Sequence, residues 1–387
     1  MSTSIENRFR EEVLSLLKTY NFKVEFHNGK IRVTPPCSMN RVIIKKIHEK
    51  TLRAKIKSIK KEEIELLKQY IARPQDIDIA NISPKIVVVG EEYELRALFK
   101  AATIFWEIPV TKGFGRRIRL IIFDENNGKM IGLVGLCDPV FNLRARDSWI
   151  GWDAETRKKM LWHTMNAYIL GAIPPYNVLL GGKLVSLACI SEDVRRIFKK
   201  KYAGKKSSVL RIVREPYLVL IATTTAFGKS IMLDRLHNNG HYYWRFIGYT
   251  TGYALIVFDS NIYELAKKVL SKNKDPEVKK YKFGQGPNYR LRIMRKALKY
   301  VGLSDDIMNI GVKRGVYVAE MAENTKEFLR QEVKVPKFYK NRTLDDLTEY
   351  FKERWLIPRI DKLKRKLTAY SNIPHKNNFT LNKFLKL

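Results

Sequence analysis

Three cysteines in 387 residues, Cys37, Cys137 and Cys189, are too few and too far apart for a disulfide framework or a zinc-ligand pattern. Histidine is scarce as well, with six in the chain. His237 and His241 have a four-residue spacing but straddle Asn238-Asn239-Gly240, a turn signal that keeps them off a shared helix face, so no metal site is expected. No run of about 18 uncharged apolar residues exists, so no membrane span is expected. The opening MSTSIENRFREE lacks the apolar core of a signal peptide. These absences point to a reducing, cytoplasmic setting. Apolar residues are not lacking: a hydrophobic content of 45% supports a sizeable core and excludes wholesale disorder.

Acidic residues are few beside basic ones, 39 Asp and Glu against 73 Lys and Arg, a formal net charge of +34. Such an excess fits a polyanionic partner, and nucleic acid is the default, DNA before RNA. The plainer reading is a lysine-rich but merely solvated surface. The charge is clustered, however. Residues 39–70 read as one basic helix carrying Lys45, Lys46, Arg53 and Lys57. Arg116 and Arg117 close a glycine-bearing loop, PVTKGFGRR (109–117). Arg290, Arg292 and Arg295 fall on part of one face of a helix after Gly284-Gln285-Gly286-Pro287-Asn288. Lys364 and Arg365 belong to a basic amphipathic stretch from Tyr350 to Tyr370.

Three regions are expected: a basic N-terminal helix–hairpin–helix module (1–83), an α/β core of α+β type (84–335) and a basic helical C-terminal extension (336–387). In the first, residues 5–20 form an amphipathic helix, and Val24–Phe26 and Ile31–Thr34 form a hairpin about His27-Asn28-Gly29. In the core, Lys85–Gly90 reads as a buried strand and 91–106 as a helix. Ile118–Asp124 and Lys129–Leu136 read as a hairpin. Tyr217–Thr223, Tyr243–Tyr249 and Tyr253–Phe258 read as strands, Ile231–His237 and Ile262–Leu270 as helices. Residues 85–260 should therefore build a single mixed sheet with helices on its faces.

The stretch from Arg146 to Tyr202 organises this core. It opens with Arg146-Asp147-Ser148-Trp149-Ile150-Gly151-Trp152-Asp153, continues through a helical segment, and reaches a strand, Tyr168–Ile173. That strand stops at Pro174-Pro175-Tyr176-Asn177, since proline has no N–H for the ladder. Gly181-Gly182-Lys183 then opens an amphipathic helix. Glycines at a helix start admit close approach of a ligand, and the free N–H groups favour an anion; a tight connection with no ligand fits the same residues. Asp147 is the candidate catalytic base and Asn177 a candidate polar site residue. Trp149 and Trp152 are suited to stacking a flipped base, or to a core. A pocket is expected where the strand ending at Ile173 parts from the strand ending at Thr223. Tyr176, Gly181, Gly182, Lys183, Thr223, Thr224, Thr225 and Ser230 should line it.

Gly228-Lys229-Ser230 follows a strand as in a P-loop, but Thr223 stands where the first glycine belongs, so a nucleotide-hydrolysing core is not expected. The order of hairpin, strand, glycine-opened helix, strand, helix and strands resembles the GNAT acyltransferase layout. In that fold acyl-CoA pyrophosphate lies at the helix start, which here is Leu179-Leu180-Gly181-Gly182-Lys183. The Arg or Gln of the GNAT pattern has no counterpart. The resemblance implies an acyl-CoA-like cofactor, leaving its identity unknown, and more remotely a likeness to Mom-type DNA-modifying proteins. RDSWIGWD (146–153), LGAIPPYNVLLGGKL (170–184), TTTAFGKS (223–230), GYTTGY (248–253) and FGQGPNYRLR (283–292) resemble the Druantia anti-phage system DruA family. PVTKGFGRRIRLIIFD (109–124) and GVKRGVYVAEM (311–321) agree. This resemblance implies antiviral defence, with other defence-system proteins such as a helicase as partners. It leaves open whether the chain is a nucleic-acid-directed transferase, a non-catalytic recognition subunit that loads an effector, or a mobile-element DNA-binding protein.

Overall fold

The computed structural model describes residues 4–27, 30–34, 41–111, 113–207, 210–256, 258–276 and 289–371. From the N-terminus, α1 (Ile5–Thr19) leads into the hairpin of β1 (Lys23–His27) and β2 (Lys30–Thr34), then α2 (Arg41–Lys57) and α3 (Lys61–Tyr70). Next come β3 (Pro84–Val88), α4 (Tyr93–Ala102), β4 (Arg117–Asp124), β5 (Lys129–Cys137), α5 (Arg144–Ile150), α6 (Ala154–Met160) and β6 (Thr164–Ala172). The chain continues through α7 (Gly181–Ala188), α8 (Glu192–Tyr202), β7 (Leu220–Thr224), α9 (Ile231–Asp234), the short β8 (His237–Asn238) and β9 (His241–Tyr242), and β10 (Arg245–Leu255). It closes with α10 (Ser260–Lys272), α11 (Tyr289–Tyr300), β11 (Asn309–Glu320), α12 (Thr325–Leu329), α13 (Leu344–Phe351) and α14 (Ile360–Ser371).

Seven strands form one mixed sheet in the order β10-β11-β7-β6-β5-β4-β3. β3 to β6 are antiparallel neighbours, β6 and β7 are parallel, and β7 and β11 are antiparallel. The expected mixed sheet with helices on its faces is present, and it reaches beyond residue 260 because β11 inserts between β7 and β10. The sequence reading missed that strand, whose outer half carries Lys313-Arg314-Gly315 and breaks the apolar alternation.

The chain divides into two compact units. One comprises 1–55, 107–109 and 251–313, and the other 56–106, 110–250 and 314–387. The first holds α1, the β1–β2 hairpin, α10 and α11. Phe9, Val13 and Leu17 of α1 are fully buried, and Asp259 Oδ1 caps α10 by accepting the N–H groups of Asn261 and Ile262.

The second unit is built on β4 and β5. Their apolar runs are buried on both faces, which is what a strand covered twice requires. Ile118, Leu120 and Ile122 of β4 pack on one side with Leu184, Leu187, Val194 and Phe198 of α7 and α8. Ile121, Met130 and Leu133 pack on the other with Leu67 of α3 and Leu98 and Phe99 of α4. Each such side chain stabilises the fold by about 1.5–3 kcal/mol relative to exposure. Gly132 sits so close to β6 that a Cβ there would lie 2.4 Å from the Gly171 carbonyl oxygen, so β5 and β6 approach only because the side chain is missing.

Four expected boundaries change. The long basic helix is two helices, because Glu63 takes the Lys60 N–H at 3.0 Å and starts α3 afresh. The helix opened by the glycines ends at Ala188, and α8 restarts at Glu192, whose N–H donates to the Arg342 carbonyl. The two strands expected at 243–258 are a single strand, β10. The stretch 350–370 is not one helix: a π turn (Lys352–Leu356) and a 3-10 turn containing Pro358 precede α14. Among the described residues no helix is long and apolar enough to cross a membrane.

Candidate functional site

Parallel pairing of β6 with β7 covers Thr164–Ala167 against Leu220–Thr223. Beyond Ala167, β6 runs on to Ala172 beside β5 alone, while β7 ends at Thr224. The two strands therefore part where the sequence places a gap. Thr223 sits at the last rung, 6% exposed, its hydroxyl donating to the Ala167 carbonyl at 2.8 Å.

Past the gap, β6 ends at Ala172, and after Ile173 the chain crosses the cis Pro174-Pro175 bond. Asn177 follows, exposed, its N–H on the Ile173 carbonyl. Leu180 takes a left-handed conformation (φ 63°), and α7 begins at Gly181. A Cβ at Gly181 would lie 2.6 Å from the Tyr176 carbonyl oxygen, and one at Gly182 would lie 2.7 Å from Met232 Sδ. The glycines thus bring α7 against its own entry turn and against α9. Lys183 is buried, its Nζ donating to the Met232 carbonyl at 2.9 Å and lying 4.0 Å from the centre of the Trp355 ring. Burial brings its pKa down to about 8.

The loop after β7 is pinned to β11. The Thr225 hydroxyl donates to the Gly228 carbonyl and accepts the Gly315 N–H at 3.0 Å. Thr224 is half-buried beside it. Ser230 caps α9 by accepting the Leu233 N–H, and its own N–H donates to the Tyr317 hydroxyl at 2.8 Å. Tyr317 in turn donates to Asp234 Oδ1 at 2.7 Å. Burial and the neighbouring Asp234 carboxylate push the Tyr317 phenol upward. Thr225, Ser230, Gly182 and Lys183 are thus brought together about α9, with Tyr317 and Asp234 as central members that the sequence reading did not single out.

Other candidates lie elsewhere. Tyr176 is 1% exposed and donates to Asp124 Oδ2 at 2.7 Å, at the turn end of the β4–β5 hairpin. Asp147 lies on α5. It accepts from Arg146 Nη2 at 2.6 Å and Nε at 2.9 Å, from the Leu143 N–H at 3.1 Å and from Arg157 Nη1 at 3.4 Å. Trp152 is buried and donates to the Leu329 carbonyl. Trp149 has the Lys326 amine 4.2 Å from its ring centre.

A second built feature is the cleft of about 300 Å³ lined by Phe114, Arg116, Asp138, Phe141, Lys158, Lys159 and Trp162, among others. Arg116 binds Asp138 at 2.6 Å and donates to the Trp162 and Thr164 carbonyls at 2.7 and 3.2 Å. Its guanidinium lies 4.2 Å from the centre of the Trp162 ring. Arg146, itself fully buried, holds the loop that carries Phe141 by donating to the Val140 and Phe141 carbonyls. Two charge pairs thus hold the loop 138–143 at both ends. The sequence signal for it was the polar, proline-bearing exit Asp138-Pro139 after an apolar strand.

Among the remaining basic candidates, Lys46, Lys57, Arg117, Lys364 and Arg365 are exposed, with Leu363 and Leu367 of α14 buried between the last two and their neighbours. Lys45 pairs with Glu107 at 2.5 Å and Arg53 with Glu49 at 2.6 Å. Arg295 pairs with Asp305 at 3.2 Å, Arg290 lies over Tyr263, and Arg292 is exposed on the same helix, α11. No group of three or more His, Cys, Asp or Glu suited to a metal occurs among the described residues.

A family model described as Druantia protein DruA matches residues 38–331. The chain is 35% identical over 291 residues to Druantia protein DruA of Escherichia coli (strain UMEA 4076-1), over 75% of this chain and 72% of that protein. No solved structure matches.

Proposed function

Because the chain belongs to the Druantia DruA family of anti-phage defence proteins, we propose that it acts in that defence by binding nucleic acid through its basic surfaces. The observation that carries this reading is the charge excess of +34, together with exposed cations seated on ordered elements. On α14, Lys362, Lys364, Arg365 and Lys366 are exposed while Leu363 and Leu367 anchor the helix to the core. On α8, Lys199, Lys200 and Lys201 are exposed in the same way. Cations held on a rigid scaffold displace counterions from a phosphate backbone without first having to be ordered.

The core of this reading is GNAT-like. Support comes from the parallel β6–β7 pair, which parts after Ala167 and Thr223 and is followed on the β6 side by a glycine-opened helix. Within that core, recognition is favoured over chemistry on a base. The polar groups about the gap satisfy one another: Thr223 with Ala167, Lys183 with Met232, and Tyr317 with Asp234 and Ser230. Asp147 is held by Arg146, Arg157 and a backbone N–H, which leaves its carboxylate poorly placed to act as a base.

The test is duplex DNA binding by the full chain across a salt series. Log affinity should fall with log salt by about 0.9 per phosphate neutralised. Replacing Lys364 and Arg365 together by Ala should make the slope shallower by about 2. Affinity that does not change with salt would remove the proposal.

A further inference from the structure

The cleft beside Trp162 has features of a ligand site that the strand gap does not share. Trp162 is 8% exposed, lines the cleft, and its indole Nε1 has no acceptor among the described residues. That nitrogen is sealed from solvent as well as unpartnered, so Trp162 contributes its ring to the wall and no hydrogen bond. The wall is otherwise aromatic and apolar, with Phe114 and Phe141 contributing. Phe141 is 44% exposed, yet it stands on the loop that Arg146 and the Arg116–Asp138 pair hold rigid. An exposed aromatic ring fixed in place in this way is a preformed stacking platform. Lys158 and Lys159 line the same cleft and are both exposed. The volume of about 300 Å³ lies at the small end of ligand pockets and suits one planar heterocycle.

Two requirements converge on one ligand chemistry. The aromatic wall asks for a flat π face. The two lysines ask for an anion attached to it. We propose that this cleft is a subsite for a single nucleotide, its base against Phe141 and its phosphate toward Lys158 and Lys159. The half-buried Arg116 is a positioning residue: its donors are committed to Asp138 and two carbonyls, and it fixes the Trp162 ring from one side. This inference deepens the nucleic-acid reading and rests on it; a nucleotide unit in a strand and a free nucleotide present the same chemistry.

The experiment uses the full chain with three probes: a short single-stranded oligothymidylate, the same strand with abasic sites in place of its bases, and thymidine monophosphate. The variants are Phe141→Ala and the pair Lys158→Ala with Lys159→Ala, all at exposed positions. The expected result is oligothymidylate binding that weakens about tenfold with Phe141→Ala and severalfold with the lysine pair, with abasic-strand binding unchanged by Phe141→Ala. Near-ultraviolet circular dichroism identifies any variant that has lost its fold, and Phe141→Ala then decides alone. If wild type binds the oligothymidylate and Phe141→Ala binds it equally well, the subsite is overturned while the nucleic-acid reading stands. If no strand binds but thymidine monophosphate binds in a manner sensitive to Phe141→Ala, the subsite stands for a free nucleotide, and the nucleic-acid reading is decided by the duplex salt series alone. If neither strand nor monophosphate binds, the subsite is overturned, and the duplex salt series decides the nucleic-acid reading by itself.

Discussion

Tyr317 and Asp234 are joined by a 2.7 Å hydrogen bond that links the central stretch of β11 to α9, and the same phenol accepts the Ser230 N–H at 2.8 Å. One hydroxyl therefore fixes both the start of α9 and the loop that leaves β7. Tyr317→Phe leaves a carboxylate and a backbone donor without their partner. The expected loss is about 1–3 kcal/mol in denaturant unfolding. Asp234→Asn, which still accepts from Tyr317, should cost less.

Arg146 and Asp147 form a buried pair, 0% and 7% exposed. Asp147→Ala strands a guanidinium in the core, and the expected cost is about 3–5 kcal/mol. Replacing both, Arg146→Met with Asp147→Leu, should recover part of that loss. Denaturant midpoints of the two variants check the ordering. Because Arg146 also holds the Val140 and Phe141 carbonyls, even the recovered double variant should bind oligothymidylate more weakly than wild type.

His163 carries the clearest pH dependence. It is 5% exposed, and its Nδ1 lies 3.1 Å from the Tyr217 carbonyl, which only accepts, so the proton sits on Nδ1. Burial brings its pKa down to about 4 from an ordinary 6.5. Between those values the unfolded chain holds a proton that the folded chain does not, so stability falls as pH drops through the window. The full contribution is about 3 kcal/mol. Unfolding followed from pH 7 to pH 5, above the range where most carboxylates titrate, should show this decline, and His163→Gln should flatten it.

The two glycines that open α7 should respond differently to alanine. Helix propensity alone favours each replacement by up to about 1 kcal/mol. At Gly182 the new Cβ meets only the thioether of Met232, the far end of a flexible, half-buried side chain, so Gly182→Ala should stay close to wild-type stability. At Gly181 it meets the Tyr176 backbone carbonyl, which is fixed by the entry turn, so Gly181→Ala should be destabilising despite the propensity gain. Thermal unfolding of the two variants side by side distinguishes them.

Much of the architecture was legible in the chain. The apolar runs at 118–124 and 129–137 specified a doubly covered hairpin, and Pro174-Pro175 specified where β6 must stop. The glycine pair specified the start of α7. The cations between 354 and 366 specified a basic amphipathic stretch near the end of the chain, but that Leu363 and Leu367 anchor it to the core only the structure decided. These are local properties: periodicity, a missing N–H, a missing Cβ. What only the tertiary structure decided is which polar side chains find one another. Asp147 is adjacent in sequence to the arginine that holds it, yet whether that pair sits in water or in the core depends on Trp152 and the 140–141 carbonyls closing over it. Tyr317 reaches Asp234 across 83 residues, and Arg116 reaches Trp162 across 46. Such pairings arise from strand order, because β11 must insert between β7 and β10 before its side chains face α9. The chain alone carries no rule that ranks one long-range partner above another, so the position of the orphan Trp162 donor emerged only once the fold had placed its neighbours.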